Sequence, residues 1–367
     1  MIDPSIYLPE WFERPGAYVL VDGQFGSTGK GLMAAWLAEY GLDKITHVTT
    51  NQGPNSGHTA YWNPRPDFKE HPELAEKIMT QQLPVASVFM QRGDRDPITL
   101  INAGAVIDDK ILNAEVTKYG FRMKNLMIHP NAAVITDEDR TLDQITVGSI
   151  AGTGKGVGPA IAAKALRHGG KIAYFEYRPM LPAGFPTNKG WDNLWDWTQD
   201  VVFVETAQGF SLGINTARFY PQTTSRECTV MQAISDARIP AQMVRGVIMC
   251  CRTFPIRVGN TDNSSGGCYE DQQETTWEAI GQEPELTTVT KRVRRVFNWS
   301  RIQFREAVAA NRPDVIFLNF CNYMSDSMLD ALVDNILEDY GDVMGRGRGC
   351  TILGGFSPYA HDVRQLV

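Results

Sequence analysis

The stretch Tyr18-Val-Leu-Val-Asp-Gly-Gln-Phe-Gly-Ser-Thr-Gly-Lys-Gly-Leu32 passes from an apolar run into glycines at 23, 26, 29 and 31 placed around Lys30. The residues before Asp22 predict a buried strand. Leu32, Met33, Trp36, Leu37 and Tyr40 recur at the three-to-four spacing of a helix over 30–40. A glycine-rich turn between strand and helix lets backbone amides approach a phosphate at the positive end of the helix, and Lys30 adds a full charge. This is not a Walker A loop: five residues rather than four separate Gly23 from Gly29, and Gly31 stands where that loop has its magnesium-binding hydroxyl. Taken alone, the stretch also fits an ordinary glycine-rich turn at a sheet edge.

Outward from this loop, short apolar runs predict further strands at 45–48, 98–101, 201–204, 246–251, 315–320 and 351–353, besides 17–21. Helical spacing recurs at 108–119 and 325–340. Strand alternating with helix implies an α/β fold with a mainly parallel central sheet and helices on both faces. The intervals 62–82, 181–200 and 262–284 lack periodicity and are expected to be long loops or small subdomains. Residues 1–367 are therefore read as a single domain with those three insertions.

Of the 367 residues 43% are hydrophobic and 21% charged, which places the chain among folded globular proteins. A formal net charge of −7 disfavours non-specific binding to nucleic acid or anionic membrane and leaves small anionic ligands open. The six cysteines show no CxxC spacing, so reduced, buried thiols and no structural zinc are expected, in a reducing, cytoplasmic setting. With no signal-like start and no apolar run near ~20 residues, the chain is expected to be soluble, with no membrane partner.

Four more segments carry polar chemistry. Asn51-Gln-Gly-Pro-Asn-Ser-Gly-His-Thr59 follows a predicted strand, and His58 sits among glycine and small polar residues, where ligand contact is the better use. His47, His71, His129, His168 and His361 have no such setting and are read as structural. The segment Gly148 to Pro159 is again dense in glycine around a lysine, with Lys164 and Arg167 beyond it. Glu205-Thr-Ala-Gln-Gly209 follows directly on a strand, which puts Gln208 where α/β enzymes collect ligands. Thr287 to Arg295 runs from hydroxyls into basic residues, and a carboxylate or phosphate clamp is preferred there over a solvated basic face.

In order along the chain, these segments resemble those of the adenylosuccinate synthetase family. The matching motifs are Gly26-Ser-Thr-Gly-Lys-Gly31, Asn55-Ser-Gly-His-Thr59, Gly154-Lys-Gly-Val-Gly-Pro159, Glu205-Thr-Ala-Gln-Gly209 and a diverged Val289-Thr-Lys-Arg292. The resemblance implies a ligase that phosphorylates the 6-oxygen of a purine monophosphate with a nucleoside triphosphate, then displaces the phosphate with the amine of L-aspartate. It implies Ser27, Lys30, His58 and Gln208 in catalysis, and Ser27, Thr28, Gly29, Lys30, Gly31, Gly57, His58, Thr59 and Asn322 around the triphosphate nucleotide. Ser27, Asn55, Thr153, Arg167, Gln208 and Thr224 match monophosphate-side positions, with Arg167 reaching across a homodimer. Val289, Thr290, Arg292 and Arg294 match aspartate-side positions, and Ser27 and Gly57 the Mg2+ ligands.

Two departures bear on the substrate. The family's loop aspartate, proton acceptor and metal ligand, is replaced by Ser27, a poor base and a weaker ligand. Either the protein only binds nucleotide, or the purine carries a group at C2 that a carboxylate would obstruct. Serine is small enough to admit the 2-amino group of guanine and able to accept its hydrogen bond. The bacteriophage-type branch of the family, which uses dGMP to make N6-succino-2-amino-2'-deoxyadenylate, resembles this sequence in having that serine. The family's guanine-reading Lys-x-Asp aligns with Phe320-Cys-Asn322, and an asparagine amide suits adenine, so ATP or dATP is expected as co-substrate. Asn322 as an ordinary strand-end residue, and use of IMP with GTP, remain the alternatives.

Overall fold

The computed structural model describes residues 12–40, 44–63, 74–147, 150–167, 171–173, 194–259, 265–287 and 291–367. Nine strands form the central sheet: β1 Gly16–Asp22, β2 His47–Thr50, β3 Ile98–Ile101, β4 Leu126–Ile128, β5 Val201–Glu205, β6 Val244–Arg252, β7 Val315–Asn319, β8 Thr351–Gly355 and β9 Val363–Gln365. Their spatial order is β9-β8-β7-β6-β1-β5-β2-β3-β4. Every neighbouring pair is parallel except β8 with β9.

Along β1 every residue is buried, and alternation sends Tyr18 and Leu20 into one core, Ala17, Val19 and Val21 into the other. Helix α1, Lys30–Tyr40, lies on the first face against α2, Val85–Arg92. The paired helices α7, Arg301–Asn311, and α8, Asp326–Met344, pack together, their apolar residues in the second core. The remaining helices are α3 Asp109–Tyr119, α4 Asp137–Val147, α5 Val157–Leu166 and α6 Val230–Asp236. Asp108 caps α3 by accepting from the amides of Lys110 and Ile111, and Gly120 ends it in the left-handed region.

The α/β reading holds, with adjustments at the edges. The strand expected at 45–48 lies at His47–Thr50, because Thr49 and Thr50 fill the ladder between Leu100–Ile101 and Val204–Glu205. The last strand residue before the 320s is Asn319: Phe320 takes φ 62° and turns the chain out of the sheet. The interval 62–82 is not all loop, since His58–Trp62 pairs antiparallel with Glu76–Thr80; residues 64–73 lie outside the described residues. So do 181–193 of the second interval, whereas 262–284 contributes the short strand Glu274–Thr275 to a three-stranded sheet with Ile256–Arg257 and Arg295–Phe297. All six cysteines are free, and five are buried. Among the described residues no helix is long and apolar enough to cross a membrane.

Gly31 opens α1 against the hairpin strand: a Cβ there would sit 2.5 Å from the carbonyl oxygen of Thr59 and 2.7 Å from its amide nitrogen. Backbone in a paired strand cannot give way as a side chain does. Gly31→Ala is therefore expected to lower stability by about 1–3 kcal/mol, read from the midpoint of urea unfolding. An unchanged midpoint would show that α1 and the hairpin are not held this closely.

Candidate functional site

The phosphate loop follows β1, and its geometry is set by Asp22, whose side chain is fully buried. Asp22 Oδ1 accepts from the amides of Gln24 at 2.9 Å and Gly26 at 3.2 Å. Oδ2 accepts from the Thr28 hydroxyl at 2.5 Å and from Lys30 Nζ at 3.0 Å. Lys30 Nζ also donates to the carbonyl of Gln208 at 2.6 Å, tying this loop to the one after β5. One carboxylate thus collects two amides, a hydroxyl and an ammonium, and shapes the turn before any phosphate arrives.

Between the loops after β2 and β5 lies a second buried pair. His58 Nδ1 is 2.6 Å from Glu205 Oε1, and both side chains are nearly inaccessible. The same carboxylate accepts from Gln52 Nε2 at 3.1 Å and from the amides of Val85 and Ala86 at 3.0 and 3.1 Å, at the start of α2. Gln52 Nε2 also lies 2.9 Å from Nδ1, but an amide nitrogen only donates, so the acceptor for a ring N–H at Nδ1 is the carboxylate. That bond fixes the ring and leaves Nε2 as the atom available for chemistry.

A cleft of about 720 Å³ opens above the carboxyl ends of the strands. Its lining includes Ser27, Thr28, Gly29, Lys30 and Gly31, then Asn55, Gly57, His58 and Thr59, and also Thr153, Gln208, Thr224, Arg294 and Asn322. Five segments far apart in sequence therefore meet at one cavity. Gln208 Nε2 and Thr224 Oγ1 are buried without a hydrogen-bond partner, polar groups that a ligand would satisfy. Ser27 and Gln208 take φ of 57° and 66°, a conformation that costs non-glycine residues about 1–3 kcal/mol and tends to persist where a site needs it. In the third segment Asp143 accepts from the amide of Gly156 at 2.8 Å; burial pushes its carboxyl above the ordinary range, against the opposing pull of that amide.

Arg292 is exposed and outside the cleft lining, as is Arg167, which ends α5 at φ 58°. Val289, Thr290, His71 and His168 lie outside the described residues. Arg294 stands opposite Glu285 at the base of a hairpin, its amide donating to the Glu285 carbonyl at 2.8 Å. Burial lowers the Arg294 guanidinium from its ordinary value, Glu285 opposing and the nearby Arg252 adding to the effect. Among the described residues no group of three or more His, Cys, Asp or Glu is placed to hold a metal.

Sequence reasoning passed over Asp22, Glu205 as the partner of His58, Arg252 and Glu285. Asp22 and Arg252 did leave a signal: each is a charge that follows directly on an apolar run, 16–21 and 246–251, where a parallel sheet delivers side chains to its ligand edge. Glu285 left none, because its use depends on Arg252 meeting it across the sheet.

A model of the adenylosuccinate synthetase family matches residues 19–185 and 190–329. The N6-succino-2-amino-2'-deoxyadenylate synthase of Salmonella phage PMBT28 is 38% identical over 342 residues, covering 87% of this chain and 89% of that protein. The Vibrio phage phiVC8 protein of the same name is 36% identical over 355 residues, covering 94% and 96%. Among solved structures, cyanophage S-2L succinoaminodeoxyadenylate synthetase bound to dGMP and dATP as an energy donor superposes with a TM-score of 0.80 at 31% identity, over 96% of each chain.

Asp22→Asn removes the counter-charge of a buried lysine and turns one acceptor into a donor. It is expected to cost about 3–5 kcal/mol, measured by urea unfolding. A loss below about 1 kcal/mol would mean that the loop does not rest on this carboxylate.

Proposed function

The chain belongs to the adenylosuccinate synthetase family, and on that premise we propose that it condenses L-aspartate with the 6-position of dGMP, driven by ATP or dATP, to give N6-succino-2-amino-2'-deoxyadenylate. The observation that carries the choice of substrate is Ser27, at the cleft end of the phosphate loop where the family's usual aspartate would stand. The phage relatives named for this product, and the dGMP-bound structure, support it.

In this reading the 6-oxygen attacks the γ-phosphorus of the donor, the bond to the bridging oxygen breaks to release the nucleoside diphosphate, and the N1 proton passes to solvent, its electron pair closing the N1–C6 double bond. The aspartate amine then adds at C6 and phosphate leaves. Such chemistry asks for positioning and charge stabilisation, not covalent catalysis. His58 Nε2 holds a proton at the 6-oxygen, with buried Glu205 supplying the countercharge and fixing the ring. Gln208 offers its unpartnered amide to the base, while Asn55, Thr153 and Thr224 meet the 5'-phosphate. Thr28, Gly29, Lys30, Gly31 and Thr59 receive the triphosphate. Phe320 and Asn322 face the donor base, ring against ring and amide against the mixed edge of adenine. Arg294, in the cleft lining, receives aspartate, and the family resemblance assigns Val289, Thr290 and Arg292 to the same substrate although Arg292 stands outside the lining here. Mg2+ would take the Ser27 hydroxyl and Gly57 carbonyl, hard oxygen donors that suit it, beside phosphate oxygens; when bound it neutralises charge on the transferring group.

A homodimer belongs to the same reading. Helices α4 and α5 pack together yet leave Leu142, Ile145 and Leu166 more than half exposed, and Arg167 next to them lies away from its own cleft. A second copy would cover the apolar side chains and bring Arg167 to the neighbouring 5'-phosphate.

Phosphate release is expected only when dGMP, L-aspartate, ATP or dATP and Mg2+ are all present, with the succinylated product identified by mass. Equal or better turnover with IMP and GTP would sink the dGMP assignment; tight nucleotide binding without product from any combination would sink catalysis altogether. His58→Ala should lose turnover by about 10²-fold or more while still folding cooperatively, with a lowered unfolding midpoint because Glu205 loses its buried partner. An unchanged rate would remove the imidazole from the mechanism.

A further inference from the structure

Arg252 ends β6, and its side chain is completely buried behind the cleft lining, against Ser27, Phe320 and Glu285. One face of the guanidinium lies against the Phe320 ring, 3.9 Å from its centroid. The fork reaches Glu285, at 2.6 Å from Nη2 and 3.3 Å from Nη1, and Nη1 also donates to the carbonyl of Ser27 at 3.3 Å. The Arg252 backbone is gripped in turn by Gln24 of the phosphate loop: its amide donates to Gln24 Oε1 at 2.9 Å and its carbonyl accepts from Gln24 Nε2 at 3.1 Å. Next door, the hydroxyl of Thr253 donates to the carbonyl of Phe320 at 2.9 Å.

These contacts join three parts of the cleft: the serine of the phosphate loop, the ring facing the donor base and the carboxylate at the foot of the Arg294 hairpin; Tyr323, whose amide donates to the Phe320 carbonyl at 3.0 Å and whose hydroxyl donates to Glu285 Oε1 at 3.4 Å, links the last two more loosely and does not reach Ser27. A buried guanidinium is costly unless its partners are fixed, and a pair of this kind is best explained by the geometry it specifies. Lysine could supply the charge but neither the flat face nor the fork.

We infer that Arg252 is a positioning residue that couples the donor-base side of the cleft to the aspartate side, through the Phe320 ring on one face and Glu285 on the fork. The inference rests on the proposed ligase reading. A base stacked on the cleft side of Phe320 fixes the ring, the ring fixes the guanidinium, and Glu285 then sets the height at which Arg294 stands. Ser27 is held by the same group, so the substrate loop moves with the other two.

The test compares four forms of the full chain: wild type, Phe320→Leu, Arg252→Met and the double variant. Substrate KM values are measured in the four-component assay with dATP as donor. Phe320→Leu should raise the KM for dATP and also that for aspartate, which the ring does not contact, by about fivefold, within the range for groups linked by direct contact. In the Arg252→Met background the same change at 320 should leave the aspartate KM unaltered while still raising that for dATP. Effects on aspartate that simply multiply would overturn the coupling. Should Arg252→Met fail to fold, Arg252→Lys takes its place, with loss of the coupling expected and its retention overturning the proposal. A wild-type chain that makes no succinylated product refutes the function and this inference with it, an outcome distinct from product made with multiplying effects.

Discussion

The side chain of Asp22 is the point from which the rest of the site is built. A glycine-rich turn has little to hold its shape when empty, since its amides need partners and its glycines are free to move. By gathering the amides of Gln24 and Gly26, the hydroxyl of Thr28 and the ammonium of Lys30, this carboxylate gives the turn one geometry. Lys30 then reaches the carbonyl of Gln208 and brings the loop after β5 into register. The turn is thus ordered while empty, and on the proposed reading a phosphate would meet a loop whose shape is already set. Preorganisation of that sort lowers the cost of ordering at the moment of binding.

The pair of His58 and Glu205 works on the same plan at the other end of the cleft. Amides of Val85 and Ala86, an amide side chain and an imidazole converge on one buried carboxylate. Both anions are fully engaged behind a cleft lined by the cations Lys30, Arg257 and Arg294, the carboxylates of Asp143 and Glu285, and otherwise hydroxyls, amides and apolar groups.

The architecture was legible in the sequence because parallel strands buried on both faces are continuous apolar runs; Val201 to Val204 and Ile98 to Ile101 needed little else. Thr49 and Thr50 were missed as strand residues because hydropathy ranks them with loops, whereas a ladder between two strands accepts their branched side chains. The motif segments were found because their chemistry is local: glycine around lysine, histidine among small residues. What could not be read was pairing between distant positions. Nothing near His58 announces Glu205, and nothing near Arg252 announces Glu285 or the Phe320 ring. Those partners become visible only after β5, β6 and β7 have been set side by side, which is a property of sheet order and not of any window of sequence.

That separation along the chain has a consequence for how the protein comes into being. Gln24 and Arg252 are 228 positions apart, Lys30 and Gln208 are 178, His58 and Glu205 are 147. On a ribosome adding residues at roughly 5–20 per second, the phosphate loop emerges on the order of 10–45 s before the strand that clamps it. Until β5 is made the central strand β1 lacks both of its neighbours, and one edge stays open until β6 follows, so the hydrophobic ribbon is a hazard for mispairing. A ligand of the finished cleft gives little help early on, because Gln208, Thr224, Arg294 and Asn322 of its lining are made long after the loop. The nascent chain must therefore rely on slow collapse or on a chaperone until β6 arrives, and substrate can protect only the finished molecule.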